Sequence, residues 1–445
     1  MAFPAETLDA IRAAAHPIAG AVTDHDALID AIGDSRLVLI GEASHGTHEF
    51  YFERAEITKR LIVERGFHAV AVEADWPDAY RVNEWVRGRG EDTDAIDALG
   101  DFKRFPGWMW RNADVLDFIG WLREYNDERR EDRRVGFYGL DLYSLHASID
   151  AVLGYLQEVD PAEAERARER YDCFDHVGIN PQRYGYAVTM GAKLPCEDDV
   201  VRQLVELRRR AGDYMRRDGR RAEDAYFFAE QNARLAANAE KYYRSIYRGG
   251  EASWNLRDRH MADTLDALIR HLAGRVETPR VIVWAHNSHI GDDRATENAE
   301  RGQLNLGQLV RERWDDAAFL TGFTTYSGTV TAASNWDAPA ERKRVRPGLP
   351  NSCEALFHET GMPAFTLIFR EDPVVSDALS KWILQRAIGV IYRPETERIS
   401  HYFHTRPAEQ FDAILHIDHT RAVEPLERGP LWTPDEAPHT FPSAL

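Results

Sequence analysis

Short apolar runs that each end in a polar or small residue constrain this chain more than any other feature of its sequence. They lie at residues 36–42, 68–75, 135–141, 280–287, 319–323, 387–393 and 413–418. Runs that are apolar at nearly every position are typical of strands buried on both faces of a mostly parallel sheet. The first two runs flank residues 48–66, a segment with helical periodicity that closes on Gly66, so we predict a βαβ unit there.

A long helical segment separates the runs into two groups. Residues 150–248 are rich in Ala, Glu and Arg and contain no convincing strand. We therefore predict an α/β fold with a mostly parallel central sheet flanked by helices, in which residues 1–149 and 249–445 build the core. The inserted helical region, residues 150–248, is expected to form a wall or a lid of the cleft. Residues 337–352 are predicted to form a long surface loop.

Length and charge narrow the class of protein. With 445 residues the chain can bury a large core, and its formal net charge of -19 argues against binding to nucleic acid or to an anionic membrane. No apolar stretch approaches the roughly 20 residues of a membrane span, and the N-terminus lacks a basic and then apolar signal. We expect a cytoplasmic protein with no membrane or nucleic-acid partner. The sequence predicts no oligomeric state.

The cysteines indicate neither a disulfide framework nor a metal site. The chain has three, Cys173, Cys196 and Cys353, which are widely spaced and include no CxxC pair. An odd number at such spacing predicts structural thiols rather than a disulfide framework or a thiolate zinc site.

Titratable side chains directly follow several of the predicted strands. Along the chain these side chains are Glu42, His45, Glu73, Asp75, Asp141, His286 and His289. In an open parallel sheet the ligand cleft lies beyond the carboxyl ends of the strands, so we expect these groups to meet at one edge.

The loop GEASHG at residues 41–46 offers a general base. Glu42 and His45 are three residues apart between two glycines that allow a tight turn. A carboxylate beside an imidazole fixes its tautomer and raises its basicity, which suits activation of water, although such pairs also serve purely structural roles. Ser44 is a conceivable nucleophile, but adjacent residues rarely face each other as a catalytic triad requires.

The segment WAHNSHI carries a second pair of histidines. His286 and His289 follow a buried strand with Asn287, and a helix starting there would place both rings on one side. Burying such polar groups is costly unless a polar ligand is present, which favours a functional role. The alternative is one capping histidine and one solvent-facing histidine.

Three further residues could complete the polar cleft. Glu73 ends a buried run and is expected to be half-buried beside an arginine or a histidine. Arg54 is the candidate nearest in sequence; otherwise it is a surface arginine paired with Glu53 or Glu56. Asp141 could orient a histidine or cap the next helix.

Residues 102–115 could supply a substrate-binding wall. They contain Trp108 and Trp110 together with Arg111 and Asn112. Aromatic rings suit an apolar substrate, but tryptophans are also frequent in cores, and both interpretations stay open.

A helix is predicted to begin near residue 253. Asn255, Arg257 and Asp258 would then lie in its first turn, where free N–H groups could hold an oxyanion or be satisfied by simple capping. The chain has no GxSxG elbow, no Walker loop, no GxGxxG after a strand and no HExxH, so the chemistries that need those motifs are not indicated.

The ordered set of motifs resembles a known family. The segments LIGEASHGTHEF, ERAEITKRLI, VEADW, FPGWMWRN, SWNLRDRHM and WAHNSHI, spread over about residues 30 to 420, are similar to those of the erythromycin esterase family, whose members are often labelled succinoglycan biosynthesis proteins. The resemblance implies an α/β fold with a deep cleft and a small-molecule ester substrate, a macrolide lactone in some members. It implies His45 as the base that activates water, Glu42 as its orienting partner, and a polar cleft completed by Arg54, Glu73, His286 and His289.

Several functions remain compatible with these residues. The leading hypothesis is a hydrolase that requires no cofactor. A metallohydrolase could instead hold zinc, manganese or iron with Glu42, His45, Glu73, His286 and His289. A non-catalytic ligand-binding protein of the same fold, or an accessory role in polysaccharide production, are the remaining alternatives.

Overall fold

The structure is a computed structural model that describes residues 3–177, 180–216, 219–247, 250–429 and 432. Its strands are β1 (His16–Pro17), β2 (Leu37–Ile40), β3 (Ala69–Asp75), β4 (Gly136–Asp141), β5 (Val281–Trp284), β6 (Ala318–Thr324), β7 (Ser327–Ala332), β8 (Glu341–Val345), β9 (Ala364–Ile368), β10 (Ile383–Arg386), β11 (Tyr402–Thr405), β12 (Ala413–Ile417) and β13 (His419–Thr420).

The α-helices surround these strands along the whole chain. They are α1 (Ala5–Ala14), α2 (Asp26–Ile32), α3 (His48–Arg65), α4 (Trp76–Val86), α5 (Ala95–Ala98), α6 (Ala113–Asp127), α7 (Leu145–Val159), α8 (Pro161–Tyr171), α9 (Pro181–Thr189), α10 (Glu197–Arg209), α11 (Ala211–Met215), α12 (Gly219–Ser245), α13 (Gly250–Ala273), α14 (Asn287–Ile290), α15 (Leu306–Trp314), α16 (Cys353–His358), α17 (Pro373–Leu379), α18 (Glu397–Ser400) and α19 (Pro407–Gln410). Within the described ranges, none of them combines the length and the apolar character needed to cross a membrane.

The central sheet has 8 strands in the order β1-β9-β12-β6-β2-β5-β3-β4. From β12 to β4 every neighbouring pair is parallel, whereas β9 is antiparallel to β12 and β1 is antiparallel to β9. The mostly parallel sheet predicted from the apolar runs is confirmed. Because β2, β5, β3 and β4 lie side by side, their carboxyl ends share one edge of the sheet.

The sheet is buried on both faces, which explains why its strands are apolar at successive positions. Leu37 and Leu39 of β2 belong to the core on one face, with α7, α12 and α13. Val38 and Ile40 belong to the core on the other face, with α3, α4 and α6. Burying an apolar side chain of this size stabilises a fold by about 1.5–3 kcal/mol, so both faces of β2 contribute.

The predicted helical insertion lies between β4 and β5. Within its described residues, the segment 150–248 forms helices and no strand. Its long helix α12 packs along α7 and places Tyr242 and Tyr243 beside Tyr143. The insertion therefore braces the region that follows β4, at the edge of the sheet where the polar residues gather.

One predicted strand and one predicted loop are wrong. Residues 387–393 form no strand; Ile388 and Ile391 make isolated bridges to Ser44 and Ala333. Tyr392 is buried in a small separate core, so the run is apolar because it is buried and not because it pairs in the sheet. Residues 337–352 are not a simple loop either, since they contain β8, which is antiparallel to β7.

The prediction that the cysteines are structural thiols is wrong for two of the three. Cys173 and Cys196 form a disulfide with their Cα atoms 5.9 Å apart, which fixes the residues after α8 to the start of α10. Cys353 is the buried free cysteine. The pair could not be found from spacing alone, because 23 residues separate the two positions and only the packing of the insertion brings them together.

Candidate active site

The parallel order of the central strands brings the predicted polar residues together. Glu42 and His45 follow β2, His286 and His289 follow β5, and Glu73 lies in the last part of β3. Of these residues, His45 and Glu73 line a cavity of about 160 Å³ at the carboxyl edge of the sheet, and Asp141 lines it on the side of β4. The edge predicted from the strand ends is the edge the structure shows.

His45 is oriented by Glu42. Its Nδ1 lies 2.9 Å from Oε1 of Glu42, and its carbonyl accepts a 2.7 Å hydrogen bond from the hydroxyl of Tyr51. A carboxylate partner places the proton of the neutral ring on Nδ1, so Nε2 carries the lone pair. Among the described residues no side chain bonds to Nε2, and the ring lines the cavity.

The glycines of the GEASHG loop serve close packing rather than a left-handed turn. A Cβ at Gly46 would lie 1.8 Å from the carbonyl oxygen of Thr331, and one at Gly41 would lie 2.2 Å from Oδ1 of Asn287. Only glycine lets the loop pass this close to its neighbours. The hydroxyl of Ser44 is hydrogen-bonded to the hydroxyl of Thr47. This contact gives no support to Ser44 as a nucleophile.

Arg54 is buried beneath this loop and is not a surface arginine. Its side chain is fully inaccessible, and Nη2 lies 3.3 Å from Oε2 of Glu42. The guanidinium also lies 4.6 Å from the ring of Tyr51 and 4.7 Å from the ring of Trp284. Arg54 therefore supports the carboxylate that orients His45 and does not itself reach the cavity.

Glu73 forms the centre of a buried charge network. Its Oε1 accepts a 2.6 Å hydrogen bond from Nη2 of Arg257, and its Oε2 accepts a 2.8 Å bond from the backbone N–H of His286. Burial would raise the pKa of Glu73, but His289 and Arg257 hold it well below the ordinary value. The carboxylate is ionised and links β3 to the start of α14.

Arg257 joins Glu73 to Asp141. Its Nε and Nη2 donate to the two oxygens of Asp141 over 2.9 and 2.6 Å. Although burial opposes the charge of the guanidinium, Asp141, Tyr143 and Glu73 raise the pKa of Arg257 well above its usual value. The side chain of Asp141 thus neither caps a helix nor orients a histidine. It balances the positive charge of the buried Arg257.

His289 has a structural position within the network. Its Nδ1 lies 2.9 Å from Asp258, its Nε2 lies 3.3 Å from Glu73, and its ring stacks on Trp254. Burial lowers the pKa of His289, but the two carboxylates outweigh burial and raise it to about 9. Nη1 of Arg257 lies 2.9 Å from Nε2 and can only donate, so this contact favours the neutral ring and opposes protonation of His289.

His286 has the opposite electrostatic character. Its Nδ1 accepts the backbone N–H of Ser288 over 3.2 Å, so the neutral ring carries its proton on Nε2. Burial, reinforced by His45, holds the pKa of His286 well below its ordinary value. Nε2 is buried and has no hydrogen-bond partner among the described residues, although the Ala43 carbonyl is near. The ring centroid lies 4.8 Å from that of His45.

The outer part of the cavity combines carboxylates with aromatic rings. Nε of Arg104 donates to Asp75 over 2.8 Å, and burial together with Asp75 and Asp101 raises the pKa of Asp78 to about 8. The aromatic and apolar lining consists of Phe102, Pro106, Met109, Trp110, Tyr143, Trp336 and Val390. The cavity lining is therefore partly charged and partly aromatic or apolar.

Only part of the predicted substrate wall lies at the cavity. Trp110 and Asp141 line it, whereas Trp108 is buried nearby without lining it. Arg111 pairs with Glu427 away from the cavity. Asn112 caps α6 by accepting the N–H of Val115 over 2.9 Å, which is a structural task.

The structure gives no support for a metal site built from the proposed ligands. In the ranges that the structure describes, no group of three or more His, Cys, Asp or Glu side chains is arranged to hold a metal ion. Both Glu42 and Glu73 are occupied by protein donors, and Nδ1 of His289 faces Asp258. A site built from these residues lacks geometric support.

Sequence reasoning misplaced some of the residues around the cavity and missed others. Arg257 and Asp258 lie in the interior of α13, which begins at Gly250, and not in a first helical turn as predicted. Arg104 lies far along the chain from the end of β3, Tyr143 follows β4 by two residues, and Trp336 lies between β7 and β8. The signal for Arg257 was the buried acid at each neighbouring strand end, which needs a cation from another element.

Comparisons with known proteins agree with this architecture. A sequence model of the family described as Erythromycin esterase matches residues 62–420. The chain is 26% identical over 323 residues to an erythromycin esterase type II from Escherichia coli, an alignment that covers 69% of this chain and 73% of that protein.

Two solved structures share the fold. A succinoglycan biosynthesis protein matches with a TM-score of 0.73 at 20% identity, over 94% of this chain and 97% of that one. An erythromycin esterase EreC mutant in its open conformation matches with a TM-score of 0.67 at 17% identity, over 93% and 96%. The family match begins after the GEASHG loop but includes β3, α13 and α14. Because it spans most of the chain, the protein belongs to the erythromycin esterase family.

Proposed function

We propose that the protein hydrolyses a carboxylic ester with water activated by His45. Family membership supports a hydrolase, and the relatives named as erythromycin esterases favour an ester bond. The observation that carries the proposal is His45 itself, held at Nδ1 by Glu42 and placed at the wall of the cavity. A histidine in this arrangement is a general base of the kind that ester hydrolysis needs.

The reaction follows from the tautomer of His45. Nε2 removes a proton from water as the oxygen attacks the ester carbonyl, and Glu42 stabilises the imidazolium that forms. The carbonyl π electrons move to the oxygen and give a tetrahedral oxyanion. When the oxyanion collapses, the bond to the leaving oxygen breaks and Nε2–H of His45 returns the proton to it, so the base is restored.

His286 is the donor best suited to the oxyanion. Its pKa is held well below the ordinary value, so near neutral pH its Nε2–H is a neutral donor beside His45. Its Nε2 lies near the Ala43 carbonyl but makes no hydrogen bond of good geometry there, so a ligand oxygen that reaches the ring would find an available donor. Arg54 and His289 are less suitable, because Arg54 is enclosed under the loop and His289 is bonded to Asp258.

The charge network holds His286 in position. Glu73 accepts the backbone N–H of His286, and Arg257 holds the other oxygen of Glu73. This second layer fixes where α14 begins, which is the kind of support that keeps an active site preorganised. None of these steps needs a cofactor.

The proposed substrate is a small-molecule ester, with a macrolide lactone as the specific candidate. The aromatic and apolar part of the lining suits a hydrophobic acyl or alcohol group, and the relative from Escherichia coli is named an erythromycin esterase. The cavity of about 160 Å³ surrounds only the reacting part of a large ligand, so the remainder would extend past Trp336 and Phe105, whose rings are 5.1 Å apart.

The test is a mass-spectrometric screen for products that gain one water. Wild type, His45→Gln and the control His419→Gln, which alters an exposed histidine, are incubated with macrolides and a varied ester panel, each with and without a chelator. We expect turnover by wild type and the control, loss in His45→Gln, and no effect of the chelator. Undiminished turnover by His45→Gln would overturn the role of His45, and loss with chelator would overturn the cofactor-free mechanism.

A further inference from the structure

A basic groove lies outside the cavity on a chain of strongly negative charge. The formal net charge is -19, yet one groove of about 590 Å³ is lined by the basic residues Lys343, Arg344, Arg346 and Arg393. The carboxylates in its lining are Glu341 and Glu395. The groove runs between β8 and the segment around Pro394, and the proposed ester hydrolysis does not use it.

Most of the positive charge in this groove is unpaired. Within the described part of the chain, no ion pair joins Arg344, Arg346 or Arg393 to a carboxylate, while Lys343 is 3.5 Å from Glu341. Other arginines of the protein use carboxylates readily, as Arg81 does with Asp92 over 2.6 Å. On an acidic protein, uncompensated guanidinium groups that share one groove create a local positive potential.

The walls of the groove are held in place by hydrogen bonds that leave donors free. Nη1 of Arg346 donates to the carbonyl of Pro394 over 3.0 Å, and the Arg346 carbonyl accepts a 2.6 Å bond from buried Arg386. Nε of Arg393 donates to the carbonyl of Ser334 over 2.9 Å. These contacts fix both walls before any ligand arrives, so binding would require little ordering.

We propose that this groove is a binding site for a phosphoryl anion, free or carried on a larger molecule. The four cations and the two carboxylates of the lining leave an excess of two positive charges, which a doubly charged oxyanion would neutralise. Guanidinium groups bind phosphate oxygens through paired N–H donors, and a phosphoryl group offers several such oxygens. A single carboxylate would leave the groove undercompensated.

The site adjoins the catalytic cavity without forming part of it. Arg393 also donates to Oδ1 of Asn335 over 2.5 Å, and the next residue, Trp336, lines the cavity. An anion held by Arg393 would therefore lie next to the segment at Asn335 and Trp336, which borders the cavity. The inference does not depend on the proposed ester hydrolysis, because it concerns binding alone.

A charged edge strand is the competing explanation. β8 is the outer strand of the three-stranded sheet β13-β7-β8, and charges on such strands prevent pairing with other sheets. That role needs only exposed charge, whereas an anion site needs a saturable affinity that depends on the residues lining the groove. The two explanations differ in what one substitution does to binding.

The experiment is isothermal titration calorimetry of the full chain with inorganic pyrophosphate, inorganic phosphate and a simple phosphomonoester at constant ionic strength. The variants are Arg344→Glu, the charge-preserving Arg344→Lys, and the control Arg209→Glu, which makes the same charge change on an exposed residue of α10. We expect saturable binding of one anion, weakened about tenfold or more by Arg344→Glu and little changed by the control.

Each outcome decides the matter. Similar dissociation constants for all three probes would indicate the phosphoryl group itself as the ligand, and binding of the phosphomonoester alone would indicate a carried phosphoryl group. Absence of saturable binding in wild type, or identical binding by wild type and Arg344→Glu, would overturn the proposal and leave β8 as a charged edge strand only.

Discussion

Nδ1 of His45 lies 2.9 Å from Oε1 of Glu42, and the opposite nitrogen of the same ring is left without a side-chain partner among the described residues. The carboxylate therefore decides which nitrogen is basic. A glutamine at position 42 could donate its amide N–H to Nδ1 and would then favour the wrong tautomer. The size of the side chain would hardly change.

This relationship predicts the kinetics of Glu42→Gln. We expect kcat for the ester identified by the screen to fall about a hundredfold or more, with KM little changed, because the substitution removes the base and not the cavity. Steady-state kinetics with a circular dichroism check of folding measure this. A matched control is Glu53→Gln, on the same stretch of chain but bonded to His25 outside the cavity. Equal losses in both variants would contradict the specific role of Glu42.

The protonation of His289 predicts a fall in stability at alkaline pH. Folding raises the pKa of His289 from 6.5 to about 9, so the folded state binds this proton more tightly than the unfolded state. The resulting stabilisation, about 3 kcal/mol, is fully present below pH 6.5 and is lost as the pH rises through 9. Denaturant unfolding of wild type and His289→Gln across this range measures it.

The comparison with the variant is needed because another group titrates nearby. Burial and neighbouring carboxylates raise the pKa of Asp78 to about 8, and its contribution also declines as the pH rises towards that value. Asp78 is present in both proteins, so its own contribution cancels in the difference, which then reports His289 and the two carboxylates bonded to it. A difference in unfolding free energy that stays constant from pH 6.5 to 9.5 would show that His289 is neutral in the folded state.

The apolar runs in the sequence predict part of this fold correctly, because they indicate which segments are buried but not which strands pair. The run in β2 is apolar because Leu39 and Ile40 face two different cores, and that pattern led to the parallel sheet. Residues 387–393 are equally apolar, yet Ile388 and Ile391 make only isolated bridges. Apolar runs report burial, and pairing partners are decided by tertiary packing, which a local pattern does not contain.

The candidate site was likewise predicted in part. The strand-end rule places Glu42, His45 and Glu73 at one edge, because parallel strands end together. Arg257 could not be located by that rule, since it comes from the middle of a helix that crosses the edge from elsewhere in the chain. What the sequence does require is a cation near Glu73, because a buried carboxylate is costly without one.

The disulfide predicts a stability that depends on the redox state. Closing the loop between Cys173 and Cys196 is expected to stabilise the helical insertion by about 3 kcal/mol, mainly by restricting the unfolded chain. Thermal unfolding of wild type should therefore shift to lower temperature with dithiothreitol. Cys173→Ser should unfold at the lower temperature with or without the reductant, which serves as the internal control. A shift of equal size in Cys173→Ser would assign the effect to another cause.

The close approach of Gly46 to Thr331 predicts that the loop tolerates no side chain. A Cβ at position 46 would lie 1.8 Å from the Thr331 carbonyl oxygen, so Gly46→Ala must displace either the loop or β7. We expect a loss of about 1–3 kcal/mol in unfolding free energy, as for other overpacked sites, and a lower kcat because His45 precedes this glycine. The matched control is Gly154→Ala in the interior of α7, where a Cβ meets nothing within 4 Å. That substitution should raise stability by about 0.5–1 kcal/mol, since alanine favours a helix. Measured together by denaturant unfolding, the two alanines should change stability in opposite directions, and a neutral Gly46→Ala would show that the loop is free to shift.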